Sequence, residues 1–215
     1  MMTKLEKLMG LRTPPTTKEE NEEKKEMINE RPSPIKIAYL LAEAAHANQK
    51  RVNGDHYFTH PLGMLEAYEN MVFCSNNPYK YEALNDHRIP IEGVREIILL
   101  HDVVEDTPMT FKDIKEIFAE YGYKEYYEEY IEKHLMLITH DKNEDYETYI
   151  KDVMHSEVAS LVKMLDLMNN TNLFGLDKLE DSEYERTLRY IKYFKMINDK
   201  WHFVEKFTGY KADVR

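Results

Sequence analysis

The chain has 215 residues, room for one ordinary domain with a tail and too few for two large ones. Hydrophobic residues make up 42% of it, enough for a core, and only 7 glycines and 8 prolines argue against a turn-rich β fold. A formal net charge of −11 runs against the basic face of a nucleic-acid binder, so an anionic substrate would need a metal or a few local cations to reverse the field.

In chain order, residues 1–34 read as an acidic N-terminal tail or arm, with the run KEENEEKKEMINE punctuated by prolines on both sides. The N-terminus lacks the apolar run of a signal peptide, and no stretch of about 18 apolar residues predicts a membrane span. Ala38, Leu41, Ala42 and Ala45 recur at helical spacing. Residues 51–57 (RVNGDHY) form a loop around the turn pair Asn53-Gly54, and Pro61 sits in the first turn of the next helix. Residues 75–92 are polar and proline-marked, a surface insertion. The single cysteine, Cys74, follows an apolar triplet and is expected to be a small buried hydrophobe in a reducing cytoplasm.

Val94 to Asp106 is predicted as one helix, stopped at Thr107-Pro108. Thr110 caps the next helix, with Asp113 as its capping-box partner. Further helices are expected over 123–139, over 146–170 as one or two pieces, and from Glu183 to about Phe203. No period-two run is long enough for a sheet. The fold class is therefore all-α: a domain over 35–205, with 206–215 as a C-terminal tail.

Three clusters carry the chemistry. In His101-Asp102-Val103-Val104-Glu105-Asp106, four ligating groups close an apolar helix, with His101/Glu105 and Asp102/Asp106 four residues apart. Burying such groups unpaired costs several kcal/mol, and a cation is the simplest partner. In Lys163-Met164-Leu165-Asp166-Leu167-Met168-Asn169-Asn170, Asp166 lies among apolar neighbours and is either paired with Lys163 or bound to metal. In the stretch from Gln49 to Pro61, Lys50 and Arg51 offer adjacent cations suited to phosphate oxygens, and His60 directly precedes a helix. The other histidines show no ligand spacing, and His46 is expected to make a local hydrogen bond.

Together the strings AHANQKRVNGDHYFTHP, LLHDVVEDT and VKMLDLMNN resemble the HD-domain hydrolases of the RelA/SpoT type, including the small alarmone hydrolases. The resemblance implies an HD-type helical bundle with a metal site in its core. His60, His101, Asp102 and Asp166 would be ligands to one Mn²⁺ per chain, and Glu105 and Asp106 the catalytic acidic pair. Arg51 and Asn170 would contact the nucleotide, with Lys50, Tyr57 and Lys163 beside them. By donor chemistry alone such a set suits Mn²⁺ or Fe²⁺ and does not exclude Zn²⁺. The implied activity is hydrolysis of the 3′-pyrophosphate of ppGpp or pppGpp, a small-molecule reaction in the cytoplasm with no role for nucleic acid or membrane.

Three departures stand out. Val52 replaces the family's usual basic residue, Asn169 stands where histidine is common, and the stretch between His60 and His101 is longer. Two other readings fit the residues: the same site acting on another nucleotide, such as NADPH or a deoxynucleotide, and a non-catalytic helical binding protein.

Overall fold

A computed structural model describes residues 3–10, 31–74, 92–171 and 180–208, with backbone alone at Phe73 and Cys74. The expected insertion at 75–92, the run 18–30, the end of the chain and the side chain of Cys74 thus fall wholly or almost wholly outside the described residues. Among the described residues every regular element is a helix, and the sole β feature is an isolated bridge between Lys50 and His56. The all-α reading holds. None of the described helices is long and apolar enough to cross a membrane.

The elements begin with α1 (Lys4–Leu8), which opens on a capping box between Thr3 and Glu6. It is not free: Leu5 is buried, and the Lys4 ammonium lies 2.6 Å from Asp113 and 2.8 Å from Glu116. Next, α2 (Pro34–Ala45) is capped by the Ser33 hydroxyl, has proline in its first turn, and buries Ile37, Ala38, Leu41 and Ala42. The loop that follows leads to α3 (Thr59–Glu69), which runs on into a π-helical turn, Asn70–Cys74.

The predicted helix from Val94 to Asp106 is two pieces, α4 (Val94–Leu100) and α5 (Val103–Asp106). The break falls at His101-Asp102. There the His101 ring turns back so that Nδ1 lies 2.8 Å from the carbonyl of Ile98, and Asp102 adopts φ −97° and ψ −6° at the start of α5. Local hydrogen bonding of the ring and the demands of the site thus override the apolar run that predicted continuity. Gly93 opens α4 at φ +74°, and a Cβ there would sit 2.5 Å from the carbonyl oxygen of Tyr130, so only glycine fits this approach.

After the predicted Thr110/Asp113 capping box comes α6 (Phe111–Glu120). Lys124–Tyr126, a π-helical stretch Tyr127–Ile131 and Glu132–Ile138 follow one another as α7. The 146–170 region is two helices, α8 (Tyr146–Val153) and α9 (Glu157–Asn170). Finally, α10 (Asp181–Trp201) matches the helix predicted from Glu183 to about Phe203 and ends where His202 takes a left-handed φ of 55°; a further helix, α11 (Phe203–Thr208), follows it.

The core gathers around α9, which packs on α3, α4, α7, α8 and α10. Helix α4 is enclosed over most of its surface, with Ile97, Ile98, Leu99 and Leu100 at 0–1% exposure, and its two charged residues are both engaged, Arg95 with Glu69 and the buried Glu96 with the Tyr126 hydroxyl. These two enclosed helices and α3 carry the candidate ligands.

One cap in this frame is pH-sensitive. The Ser156 hydroxyl accepts from the Ala159 N–H at the start of α9 and lies 2.6 Å from His134 Nδ1 on α7. Burial, helped by Lys133, pulls the His134 imidazole down to about 4. A free imidazole titrates near 6.5. Between those values the unfolded chain holds a proton that the folded chain does not, so this group makes stability rise with pH across that window and lowers it on acidification. Denaturant melts of His134→Gln should show a shallower stability slope from pH 4 to 6.5 than the parent; matching slopes would exclude His134 as the source.

Candidate metal centre and cleft

Four side chains from distant parts of the sequence meet in one place. His60 lies in the first turn of α3, His101 and Asp102 at the α4–α5 break, and Asp166 in α9. His101 Nε2 is 2.9 Å from Asp102 Oδ2, and His60 Nε2 is 3.8 Å from the same oxygen. Asp166 Oδ1 is 3.1 Å from His60 Nε2 and 4.0 Å from His101 Nε2. Both histidines and Asp166 are buried.

The donor set fits a divalent ion. Each imidazole spends its other nitrogen on a partner: His101 Nδ1 on the Ile98 carbonyl, and His60 Nδ1 on Asn169 Oδ1 at 2.7 Å. Those bonds place the protons on Nδ1 and turn both Nε2 lone pairs inward, the usual orientation of metal-bound histidines. His101 Nε2 is buried with no well-aligned hydrogen-bond partner. His60, His101 and Asp102 present ligand atoms all within 4.8 Å of one another. Two nitrogens and two carboxylates suit a first-row divalent ion.

The electrostatics point the same way. Burial would raise the Asp166 carboxyl, but Lys163 at 2.8 Å and His60 outweigh it and hold the group ionised well below the usual range. Burial works against Asp102 too, yet His101 beside it brings it to about 2. Burial alone would depress His101; the carboxylates of Asp102 and Asp166 reverse that and raise it to about 9. The cluster therefore carries surplus negative charge that draws in positive charge, from a proton or from a cation competing for the same lone pairs.

The acidic pair divides. Glu105 borders the cleft, and its Oε2 accepts from the backbone N–H of His140 at 3.0 Å. Burial pushes its carboxyl up, and Asp102 and Asp106 add to the rise. Asp106 sits further out: its Oδ2 accepts from the Tyr57 hydroxyl at 3.2 Å, and its Oδ1 is 3.8 Å from Lys142. Beside them opens a cleft of about 620 Å³, a size that admits a nucleotide.

The residues expected at the nucleotide are all on its wall, with differing freedom. Lys50 borders the cleft from the bridge to His56. The Arg51 fork reaches Asn169 at 3.1 Å and Asn170 at 3.2 Å. Asn170 donates to Asp166 at 2.5 Å, and the half-buried Lys163 reaches the same carboxylate at 2.8 Å, so both support the metal cluster. The single proton of the Tyr57 hydroxyl goes to Asp102 at 2.5 Å, with Asp106 at 3.2 Å as the longer arm of a shared contact.

Sequence reasoning missed several residues. Tyr146 from α8 and Arg186 and Tyr190 from α10 line the cleft, and nothing local in the sequence marks them. Asn169, noted only as a departure from the family pattern, orients His60. Gly63, one turn after His60, makes room for it: a Cβ at Gly63 would lie 2.8 Å from Asn169 Nδ2.

Comparison with known proteins bears on the fold and on part of the sequence. A solved metazoan ortholog of SpoT, described as hydrolyzing ppGpp, superposes with a TM-score of 0.53 over 79% of this chain and 86% of that one, at 21% identity. The fold is shared with that protein. The bifunctional (p)ppGpp synthase/hydrolase SpoT of Escherichia coli is 34% identical over 85 residues, which is 40% of this chain and 10% of the relative. The GTP pyrophosphokinase rsh of Brucella ovis is 33% identical over 82 residues, 38% of this chain and 9% of the relative. The match thus spans about a tenth of the length of these curated relatives. No family model matches the chain. The resemblance to SpoT-type hydrolases drawn from the three motifs is borne out.

The Asn169–His60 contact makes a test of the centre. Asn169→Ala deletes the acceptor at His60 Nδ1 and frees the ring, which should weaken divalent-metal affinity by about 10-fold or more, as loss of a ligand-orienting partner does elsewhere. Calorimetric titration with Mn²⁺ reads this directly, and an affinity equal to the parent's would show that Asn169 does not orient His60.

Proposed function

We propose that this chain is a metal-dependent phosphohydrolase that removes the 3′-pyrophosphate from ppGpp and pppGpp, releasing GDP or GTP and pyrophosphate, with Mn²⁺ as its ion. One observation carries the reading: the His60–His101–Asp102–Asp166 cluster closes next to Glu105 at the wall of a cleft that also holds Lys50 and Arg51. The likeness to SpoT and to its metazoan ortholog supports the choice of substrate.

In this reading His60, His101, Asp102 and Asp166 hold the ion. When bound, such an ion acidifies water and draws charge from phosphoryl oxygens. Glu105 takes the proton of the attacking water. Its burial serves that role, since a carboxyl raised toward neutrality is a stronger base than an ordinary glutamate. The water oxygen forms a bond to the phosphorus attached at the ribose 3′-oxygen, and the bond from that phosphorus to the 3′-oxygen breaks. The leaving oxygen receives a proton, which Glu105 can return. Asp106, one residue on, steadies the water or Glu105. Lys50 and Arg51 offset the substrate's charge, which reconciles a polyanionic substrate with a chain of net charge −11.

Val52 keeps a second substrate class in view. It borders the cleft at 82% exposure, where the RelA/SpoT type usually has a basic residue. A site that grips the guanosine nucleotide less firmly there suits another phosphorylated nucleotide, such as NADPH.

Turnover of ppGpp, pppGpp and NADPH should be followed with Mn²⁺ and with a chelator. Pyrophosphate release from ppGpp is expected with Mn²⁺ and should cease on chelation. Glu105→Gln should lower kcat by at least about 100-fold, the scale of a lost general base, while still binding Mn²⁺. Undiminished turnover by that variant would remove Glu105 from the mechanism, and phosphate release from NADPH alone would move the substrate to the second class.

A further inference from the structure

Tyr57 belongs to the strings that suggested a nucleotide contact, but its hydroxyl is already engaged. It donates to Asp102 Oδ2 at 2.5 Å and lies 3.2 Å from Asp106 Oδ2. The first of these oxygens is the one that faces both histidines, 2.9 Å from His101 Nε2 and 3.8 Å from His60 Nε2. The second belongs to the outer member of the acidic pair. One phenol thus stands between the metal cluster and the acidic pair.

The ring is fixed from beneath. It stacks on the fully buried His46 imidazole, centroids 4.6 Å apart and planes inclined by 26°. His46 Nδ1 lies 2.6 Å from Gln49 Oε1, and the same amide of Gln49 donates through Nε2 to the backbone carbonyl of Asp106 at 2.6 Å. The Tyr57 N–H in turn donates to the Gln49 carbonyl at 3.0 Å. Gln49 therefore holds the ring, its stacking partner and the backbone of the acidic pair in one frame. The bridge from Lys50 to His56 closes the loop that delivers Tyr57 to this place.

We propose that Tyr57 is a positioning residue, not a substrate contact: its hydroxyl ties the Asp102 ligand oxygen to Asp106 and so sets the rotation of both carboxylates. The proposal rests on the metal site described above. Donation to Asp102 Oδ2 occupies one lone pair of that oxygen and leaves the other directed at the space between the two imidazoles. Without the hydroxyl, Asp102 can rotate about its side-chain bonds, and Asp106 keeps only the longer approach of Lys142 at 3.8 Å. The same bond that shapes the ligand set thus holds the outer carboxylate near it, and loss of the bond affects metal and chemistry together.

Tyr57→Phe tests this, because it retains the ring stacked on His46 and deletes only the oxygen. The full chain and its variant are titrated with Mn²⁺ alone, by calorimetry and by the signal of free Mn²⁺ in electron paramagnetic resonance. The variant should bind Mn²⁺ about 10-fold more weakly, on the scale seen when a ligand-orienting partner is removed. Its melting temperature without metal should match the parent's, while the rise produced by saturating the parent with Mn²⁺ should be smaller in the variant at the same concentration. With ppGpp at saturating metal, kcat should fall and KM should stay put. Parent-like Mn²⁺ affinity together with a raised KM would make the hydroxyl a substrate contact and overturn the proposal. If the variant loses Mn²⁺ affinity but the parent hydrolyses no ppGpp, the substrate reading fails and the role of Tyr57 stands.

Discussion

A buried carboxylate must be paid for by its neighbours, and Asp166 organises the structure around that need. It lies in the middle of α9 at 6% exposure. Lys163, three residues earlier, reaches one oxygen at 2.8 Å, while Asn170 and His60 converge on the other at 2.5 and 3.1 Å. Removing one member of such a buried group leaves an uncompensated charge, at a cost of about 3–5 kcal/mol. Lys163 is itself confined, its ammonium 5.2 Å from the Tyr149 ring centre and 5.7 Å from that of Tyr146. Charge balance and aromatic packing thus fix α9 against α8 and α3.

The same demand shapes the neighbouring backbone. The helix that begins at Gly93 stops after Leu100 because His101 turns its ring back onto Ile98, and Asp102 starts a separate short turn. With the helix interrupted there, His101 and Asp102 both face His60 and Asp166, while Glu105 remains one turn away at the cleft. Both imidazoles are oriented by an oxygen acceptor at Nδ1, one from the backbone and one from Asn169. Rings held this way have less freedom to lose on taking up an ion, which reduces the conformational cost of binding.

Charge is distributed on two scales. The chain as a whole is strongly acidic, and much of the surface balance comes from paired groups such as Lys115 with Glu128 and Glu132, or Lys4 with Asp113 and Glu116. At the cleft, Lys50 and Arg51 come from one loop and Arg186 from α10 on another part of the wall. A local cationic rim over an anionic, ion-seeking cluster is how an acidic chain can handle a polyanion, and short-range placement matters more there than net charge.

Much of this was legible in the residues. Helical periodicity, the Thr110/Asp113 capping box and the lack of alternation fixed an all-α fold, because those signals depend on neighbours three or four residues away. The three motif strings named the side chains that meet at the centre, since ligand chemistry restricts residue type at each point. The pairing of Lys163 with Asp166 was one of the two partners their i, i+3 spacing offered; the break at His101, the turning of Tyr57 toward carboxylates, and the part played by Asn169 and Gly63 were decided only in three dimensions. The arrival of Tyr146, Arg186 and Tyr190 at the cleft was decided there as well. These depend on which groups from distant parts of the chain come together, and that is set by how α3, α8, α9 and α10 pack, which no local pattern encodes.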